Sequence, residues 1–315
     1  MIAFDQFLFS DYYSNVAALT LLLAVIISLI LYLRAKKLRV TTNFVSLCTK
    51  RNNAAIESAK GSLPILYGLD ISYYTGKVQA YLKYLEIPFV FIDMSADDMK
   101  YVSTKTGMYQ MPAILLPDGR WMTDSTAIIR YFDQNVMSSK AAERSYNSVY
   151  PPENTALAFF SLLLEDYADE WLWKPAMHYR WSFAADAFLN GTRLATEMLR
   201  DIPAPVWIKQ YFMTNRQHSK FLLGDGVTEA NRAHVESIYT ATLARLNDIL
   251  STRPFLLGDR PSIVDYGFFA SMFRYDVHPL LFIPFDLIEP ILTFIVYTIL
   301  YTCAGTSTAT RPRTK

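Results

Sequence analysis

Residues 64–92, PILYGLDISYYTGKVQAYLKYLEIPFVFI, decide the fold. Pro64-Ile65-Leu66-Tyr67-Gly68 is a short apolar run closed by glycine and reads as a buried strand. After a turn, Val78, Tyr81, Leu82 and Leu85 recur at the spacing of one helix face, until Pro88, which cannot continue a helical hydrogen-bond ladder. Phe89-Val90-Phe91-Ile92 is then a second strand. Outward from this βαβ unit, the polar stretch Ser95–Gly107 is expected to be helical. Ala113–Leu116 and Arg120–Met122 flank Pro117-Asp118-Gly119, an Asp-Gly hairpin signal. Ser125 is expected to cap a last helix carrying Ala127, Ile128, Tyr131 and Phe132. The order βαβ, then αββα, implies a mixed sheet covered by helices, an α+β unit.

Past residue 136 strand-like runs disappear. Pro151 and Pro152 mark a linker, and Leu162, Leu163, Tyr167 and Trp171 follow at helical spacing. Val235, Ile238, Tyr239, Leu243, Leu246 and Leu250 form a 3.6-residue stripe. In Pro261-Ser262-Ile263-Val264-Asp265, Ser262 is placed to cap a helix and Asp265 to reach back to it. The second domain is expected to be all-helical.

The chain has 315 residues, 52% of them hydrophobic. At roughly 150 residues per domain there is room for two domains, and collagenous, disulfide-scaffold and disordered classes are excluded. Thirty Lys and Arg against 29 Asp and Glu leave a net +1, so no nucleic-acid partner is expected. The balance is uneven, because residues 34–60 carry seven basic side chains against Glu57 alone. Cys48 and Cys303 fit no Cys-x-x-Cys spacing, and His178, His218, His234 and His278 show no metal-ligand spacing. Neither a disulfide framework nor a metal is expected.

Residues 16–33, VAALTLLLAVIISLILYL, carry no charge. A helix needs about 20 mostly apolar residues to cross a bilayer, so this segment is expected to be an uncleaved transmembrane anchor. The basic excess on its C-terminal side predicts a single-pass protein whose main domain faces the cytosol.

Four motifs, in order, resemble the glutathione S-transferase superfamily. They are Leu66-Tyr67-Gly68 followed by Ser72-Tyr73-Tyr74-Thr75-Gly76-Lys77-Val78, similar to the family's first strand and catalytic helix start; Gln110-Met111-Pro112, like its Val-Pro or Met-Pro; the pair Asp124-Ser125; and Phe255–Asp265, FLLGDRPSIVD, like its late loop and capping box. The resemblance covers roughly residues 62–278. It implies a thioredoxin-like N-terminal domain followed by an all-α glutathione-transferase C-terminal domain, here behind a transmembrane helix. The expected divisions are a tail at 1–15, an anchor at 16–33, a basic linker at 34–61, the thioredoxin-like domain at 62–136, a linker at 137–153, the helical domain at 154–278, and an apolar segment with a basic tail at 279–315.

Glutathione is an anionic peptide whose sulfur must be held as thiolate. The resemblance places Met111, ahead of a cis Pro112, for main-chain pairing with the peptide, and Asp124 and Ser125 as the pocket for its γ-glutamyl carboxylate, which the free N–H groups of a helix start would favour. Gln110 and Lys105 are carried over as contacts to the glycyl end. Ser72 falls where serine-type relatives place their catalytic hydroxyl, but Tyr73 stands in the usual proline position, which leaves Thr75 and Tyr74 as competing sulfur donors. Lys77 is read as a solvated helix residue. Trp and Tyr side chains of Glu165–Trp181 either line the cleft between domains or pack in the core.

The expected activity is conjugation of glutathione, as substrate and without metal, to an apolar small-molecule electrophile at a membrane surface. The alternative is a non-catalytic, membrane-tethered binding protein resembling the metaxin and failed-axon-connections groups. Dimerisation is common in the family and is expected on that ground. The uncharged run Ile291–Ala304 is short for a span, and is expected to pack on the domain or lie at the membrane surface.

Overall fold

The computed structural model describes residues 56–135 and 147–273, together with Val25, Asn53 and Ala54. The anchor at 16–33, the basic segment around residues 34–52 and the apolar run after Arg274 lie outside the described residues. Among the described residues no helix is long and apolar enough to cross a membrane.

The N-terminal domain is a four-stranded sheet, β1 (Ile65–Gly68), β2 (Val90–Asp93), β3 (Ala113–Leu115) and β4 (Trp121–Thr123), in the order β2-β1-β3-β4. The crossover helix α1 (Tyr73–Tyr84) makes β1 and β2 parallel, with Ile65 opposite Val90, whereas β1 with β3 and β3 with β4 are antiparallel. Successive residues of β1 point to opposite faces. Ile65 and Tyr67 pack with Ile92, Met99 and Val102 under α2 (Ala96–Thr106), and Leu66 packs with Val78, Tyr81, Ile128 and Ile129 under α1 and α3 (Ser125–Asn135). This is the mixed, helix-covered sheet that the apolar periodicity predicts, with helices on both faces.

Local chemistry sets most of the boundaries. Ser95 caps α2 in a reciprocal box with Asp98, and Gly107 closes it at φ 73°, a left-handed conformation that glycine takes without a Cβ penalty. The start of α3 differs from expectation. Asp124, at φ 73°, rather than Ser125, accepts the N–H groups of Thr126 and Ala127 at 2.9 and 3.2 Å, so Ser125 is the first helical residue. A carboxylate satisfies two of the orphan donors at once, and Asp tolerates that backbone region better than most residues.

The second domain is helical throughout its described part: α4 (Ala156–Asp166), α5 (Trp173–Trp181), α6 (Ala184–Thr196), α7 (Val206–His218), α8 (Arg232–Thr252) and α9 (Ile263–Phe268). π-helical turns follow α4 at Tyr167–Trp171, α7 at Ser219–Leu223 and α9 at Phe269–Phe273. Val235, Tyr239, Leu243, Leu246 and Leu250 of α8 are buried as their spacing predicts, and join Ile263, Val264 and Tyr266 of α9 in a core shared with α1 and α3. Asp265 does reach back, accepting from the Ser262 N–H at 2.8 Å and from Leu256 at 2.8 Å, which pins the loop to α9.

The first helix of this domain inverts the expected pattern. Leu162, Leu163 and Trp171 are exposed, while Ser161, Glu165, Ala168 and Asp169 face inward. Lys77 explains the inversion.

Candidate active site

Ser72 sits where β1 hands the chain to α1. Its backbone N–H donates to the Leu69 carbonyl at 2.9 Å, and its Oγ accepts from the Thr75 N–H at 3.4 Å as the N-cap of α1. The hydroxyl proton of Ser72 has no acceptor among the described bonds, so it is free to donate outward. The three neighbouring hydroxyls are placed differently. The Tyr73 hydroxyl is buried and donates to the Ala168 carbonyl. Tyr74 donates to the Asp169 carbonyl at 3.0 Å, and burial, followed by the charge of Asp169, pushes its phenol well above the ordinary tyrosine range. Thr75 is fully buried against β1: a Cβ on Gly68 would come within 2.4 Å of its Oγ1, so only glycine permits this approach.

Two cavities open on either side of this helix start. The apolar one, about 330 Å³, has Ser72, Tyr73 and Tyr74 on one wall and Trp173, Met177 and Phe221 among the residues of the other. The Tyr74 ring stacks on Trp173 at 5.8 Å, and Trp173 meets Phe221 edge-on at 5.6 Å. The Trp173 indole N–H is satisfied by Asp225 at 2.8 Å. The polar cavity, about 590 Å³, is lined by the helix start at Asp124 and Ser125, by Met111 and Pro112, whose peptide bond is cis, and by α4 and the π-turn after it. Tyr74, Gln110 and Met111 line both.

Met111, Pro112, Asp124, Ser125 and Gln110 therefore come together in one cavity, with Ser72 across Tyr74 from them. Thr75 and Lys105 line neither cavity. Lys105 lies in the last turn of α2, with its ammonium 5.6 Å from the Tyr101 ring centroid.

Beneath the polar cavity lies a charge cluster. Lys77, with no solvent exposure, donates to Glu165 at 2.7 Å, to Asp169 at 2.5 Å and to the Thr126 hydroxyl at 3.1 Å, and Thr126 donates in turn to Glu165 at 2.8 Å. Lys77 is thus not a solvated helix residue, because its ammonium is paired and hydrogen-bonded as a buried charge must be. Burial raises the Asp169 carboxyl to about 6 despite the Lys77 ammonium, and its Oδ1 has no partner. One sequence signal pointed here: Lys77 precedes the core residue Tyr81 by one turn. Glu165 and Asp169 share a helix face, one turn apart, and meet on that lysine. His178 bonds Glu236 at 2.9 Å and Ser182 at 2.8 Å, and among the described residues no group of acidic, His or Cys side chains is arranged to hold a metal.

The family model for the glutathione S-transferase N-terminal domain matches residues 66–140, and that for the glutathione S-transferase C-terminal domain matches residues 229–286. The chain belongs to the glutathione S-transferase superfamily. It is 24% identical over 209 residues to the isoprene-epoxide glutathione S-transferase of Rhodococcus sp. strain AD45, covering 64% of this chain and 79% of that one. Its fold is similar to that of a glutathione S-transferase of Ceriporiopsis subvermispora solved with glutathione, at a TM-score of 0.50 and 18% identity, over 75% of this chain and 98% of that one.

Proposed function

We propose that the protein is a glutathione transferase in which the polar cavity holds glutathione and the apolar cavity holds an electrophile. The observation that carries this reading is the position of Ser72, a free hydroxyl at the start of α1 on the wall of the apolar cavity, separated by Tyr74 from the cavity that Ser125, Met111 and Pro112 line. The γ-glutamyl carboxylate would take the N–H and hydroxyl of Ser125, the first helical residue of α3, since Asp124 holds the N–H groups of Thr126 and Ala127, and the helix dipole there favours an anion. Its ammonium would face Asp124 and the carboxylates of α4. The sulfur would lie beside Ser72, whose hydroxyl and the N-terminal end of α1 stabilise thiolate over thiol. Attack on the electrophile is then favoured by proximity and by a larger thiolate fraction. The Rhodococcus relative is named for an epoxide, and an epoxide fits the mainly apolar cavity here.

Binding of glutathione to the full chain, followed by calorimetry, together with thiolate absorbance of the complex against pH, tests the reading. Saturable binding with a bound-thiol pKa below the free value of about 8.5 supports it. No binding supports the alternative, a non-catalytic binding module. Two observations favour that alternative: the Tyr73 hydroxyl is committed to Ala168, and among the described residues no Lys or Arg lines the polar cavity to meet a glycyl carboxylate.

The membrane setting belongs to the same proposal and rests on the uncharged residues 16–33 and the basic segment after them. Carbonate extraction of full-length protein should leave it in the pellet, and removal of residues 1–33 should release it. The outward apolar row Leu157, Phe160 and Leu163 of α4 supports self-association as a homodimer, which sedimentation would detect.

A further inference from the structure

The apolar cavity has an unexpected charge. Among the described residues that line it are Arg180, Arg216 and Lys220, and no Asp or Glu. Arg180 is buried and donates to the Ile71 carbonyl at 3.2 Å, so it is built into the wall. Arg216 and Lys220 differ. Arg216 lies in the last turn of α7, Lys220 in the π-turn that follows, and both sit over the same ring, 5.7 and 5.3 Å from the centroid of Phe221. Among the described residues neither side chain has a carboxylate partner, and the nearby Asp225 is engaged by the Trp173 indole. Two like charges brought to one ring, at the edge of an apolar cavity, repel each other unless an anion stands between them. Phe221 also connects them to the chemistry, because it meets Trp173, which stacks on Tyr74 next to Ser72.

We propose that the electrophile carries a carboxylate, held by Arg216 and Lys220 beside Phe221, with its apolar body along Trp173 and its reacting carbon toward Ser72. The inference rests on the assignment of this cavity to the electrophile. The Arg216 guanidinium offers the forked donor geometry that matches a carboxylate, and Lys220 adds a point charge. With a benzylic bromide as probe, the glutathione sulfur forms a C–S bond, the C–Br bond breaks, bromide leaves with the electron pair, and the thiol proton goes to solvent.

Two measurements on the full chain test this. In the first, without glutathione, Trp fluorescence follows the binding of decanoate and of its methyl ester. Decanoate should bind at least tenfold more tightly, a preference that shrinks as salt is raised and disappears in Arg216→Gln/Lys220→Gln, while the ester's affinity stays the same. Equal affinities, or a preference that survives the double substitution, would overturn the proposal. In the second, with glutathione, kcat/KM for 4-(bromomethyl)benzoate should exceed that for its methyl ester by about tenfold, and the double variant should lose only the acid's advantage. Turnover without discrimination overturns the proposal, whereas turnover of neither probe counts against the transferase reading and leaves the binding measurement to decide. Lys220 is exposed and Arg216 half-buried, and unchanged far-ultraviolet dichroism of the variant separates a binding loss from misfolding.

Discussion

The two cavities share Tyr74, Gln110 and Met111, yet their charges are opposite. Among the described residues, five acidic side chains line the polar cavity, Asp124, Glu165, Asp166, Asp169 and Glu170, without one Lys or Arg. Among the described residues, three basic side chains line the apolar cavity without one Asp or Glu. The supply of charge follows the elements: α4 and its π-turn bring carboxylates to one side of α1, and α5, α7 and its π-turn bring cations to the other. The charge that looked solvated, Lys77, is buried beneath the acidic cavity as its counter-ion. The cations that look like ordinary helix residues, Arg216 and Lys220, are the ones left open.

Removing the counter-ion is the most severe way to break this arrangement. Lys77→Met leaves Glu165 and Asp169 buried without a cation, and should reduce stability by about 3–5 kcal/mol in urea titration. Adding Glu165→Gln and Asp169→Asn should recover much of that loss. If Lys77→Met is neutral, the acidic cavity does not depend on its ion pairs.

The same cluster predicts a pH dependence. The folded-state pKa of Asp169, about 6, lies above its ordinary value of 3.8, so near pH 5 the folded state holds a proton that the unfolded chain has released. This contribution is present at low pH and is lost as pH rises through about 6, on the order of 1–3 kcal/mol. Asp265 shifts the same way, from burial first. Asp169→Asn should flatten the slope of stability between pH 4 and 6 relative to the unmodified chain.

The seat of α1 gives the next effect. Gly68→Ala drives a methyl into Thr75 and should cost about 1–3 kcal/mol, with Thr75→Ala relieving the clash. That rescue would identify Thr75 as a packing residue. Ser72→Ala should raise the pKa of bound glutathione by one to two units, roughly 1.4–2.7 kcal/mol at the sulfur, with little change in affinity. Ser125→Ala should do the reverse, weakening glutathione binding about tenfold, or 1.4 kcal/mol, with the thiol pKa little moved. An unshifted titration and full activity in Ser72→Ala would remove that hydroxyl from the mechanism.

The elements were legible where periodicity or a breaker marks them: β1 by its apolar run and Gly68, α1 by Val78, Tyr81 and Leu82, α8 by its stripe. The cavity residues carried by motifs, Met111, Pro112, Asp124 and Ser125, converge as a group. Lys105, which the resemblance places by position alone, lies elsewhere, in the last turn of α2. The face of α4 departs from its apolar spacing for a physical reason: burial normally selects apolar side chains, but here a buried ammonium selects Glu165 and Asp169 and turns Leu162 and Leu163 outward.

The sequence by itself determined the βαβ–αββα order, the helical second domain and the family, because strand and helix periods, prolines and capping residues act within a few positions of one another. Only the tertiary structure decided which charges are buried, which hydroxyl at the start of α1 is free, and that Arg216 and Lys220 share a cavity with Ser72. Those facts depend on contacts between residues 88, 92 and over 140 positions apart, and no local pattern records which side chains meet across two domains.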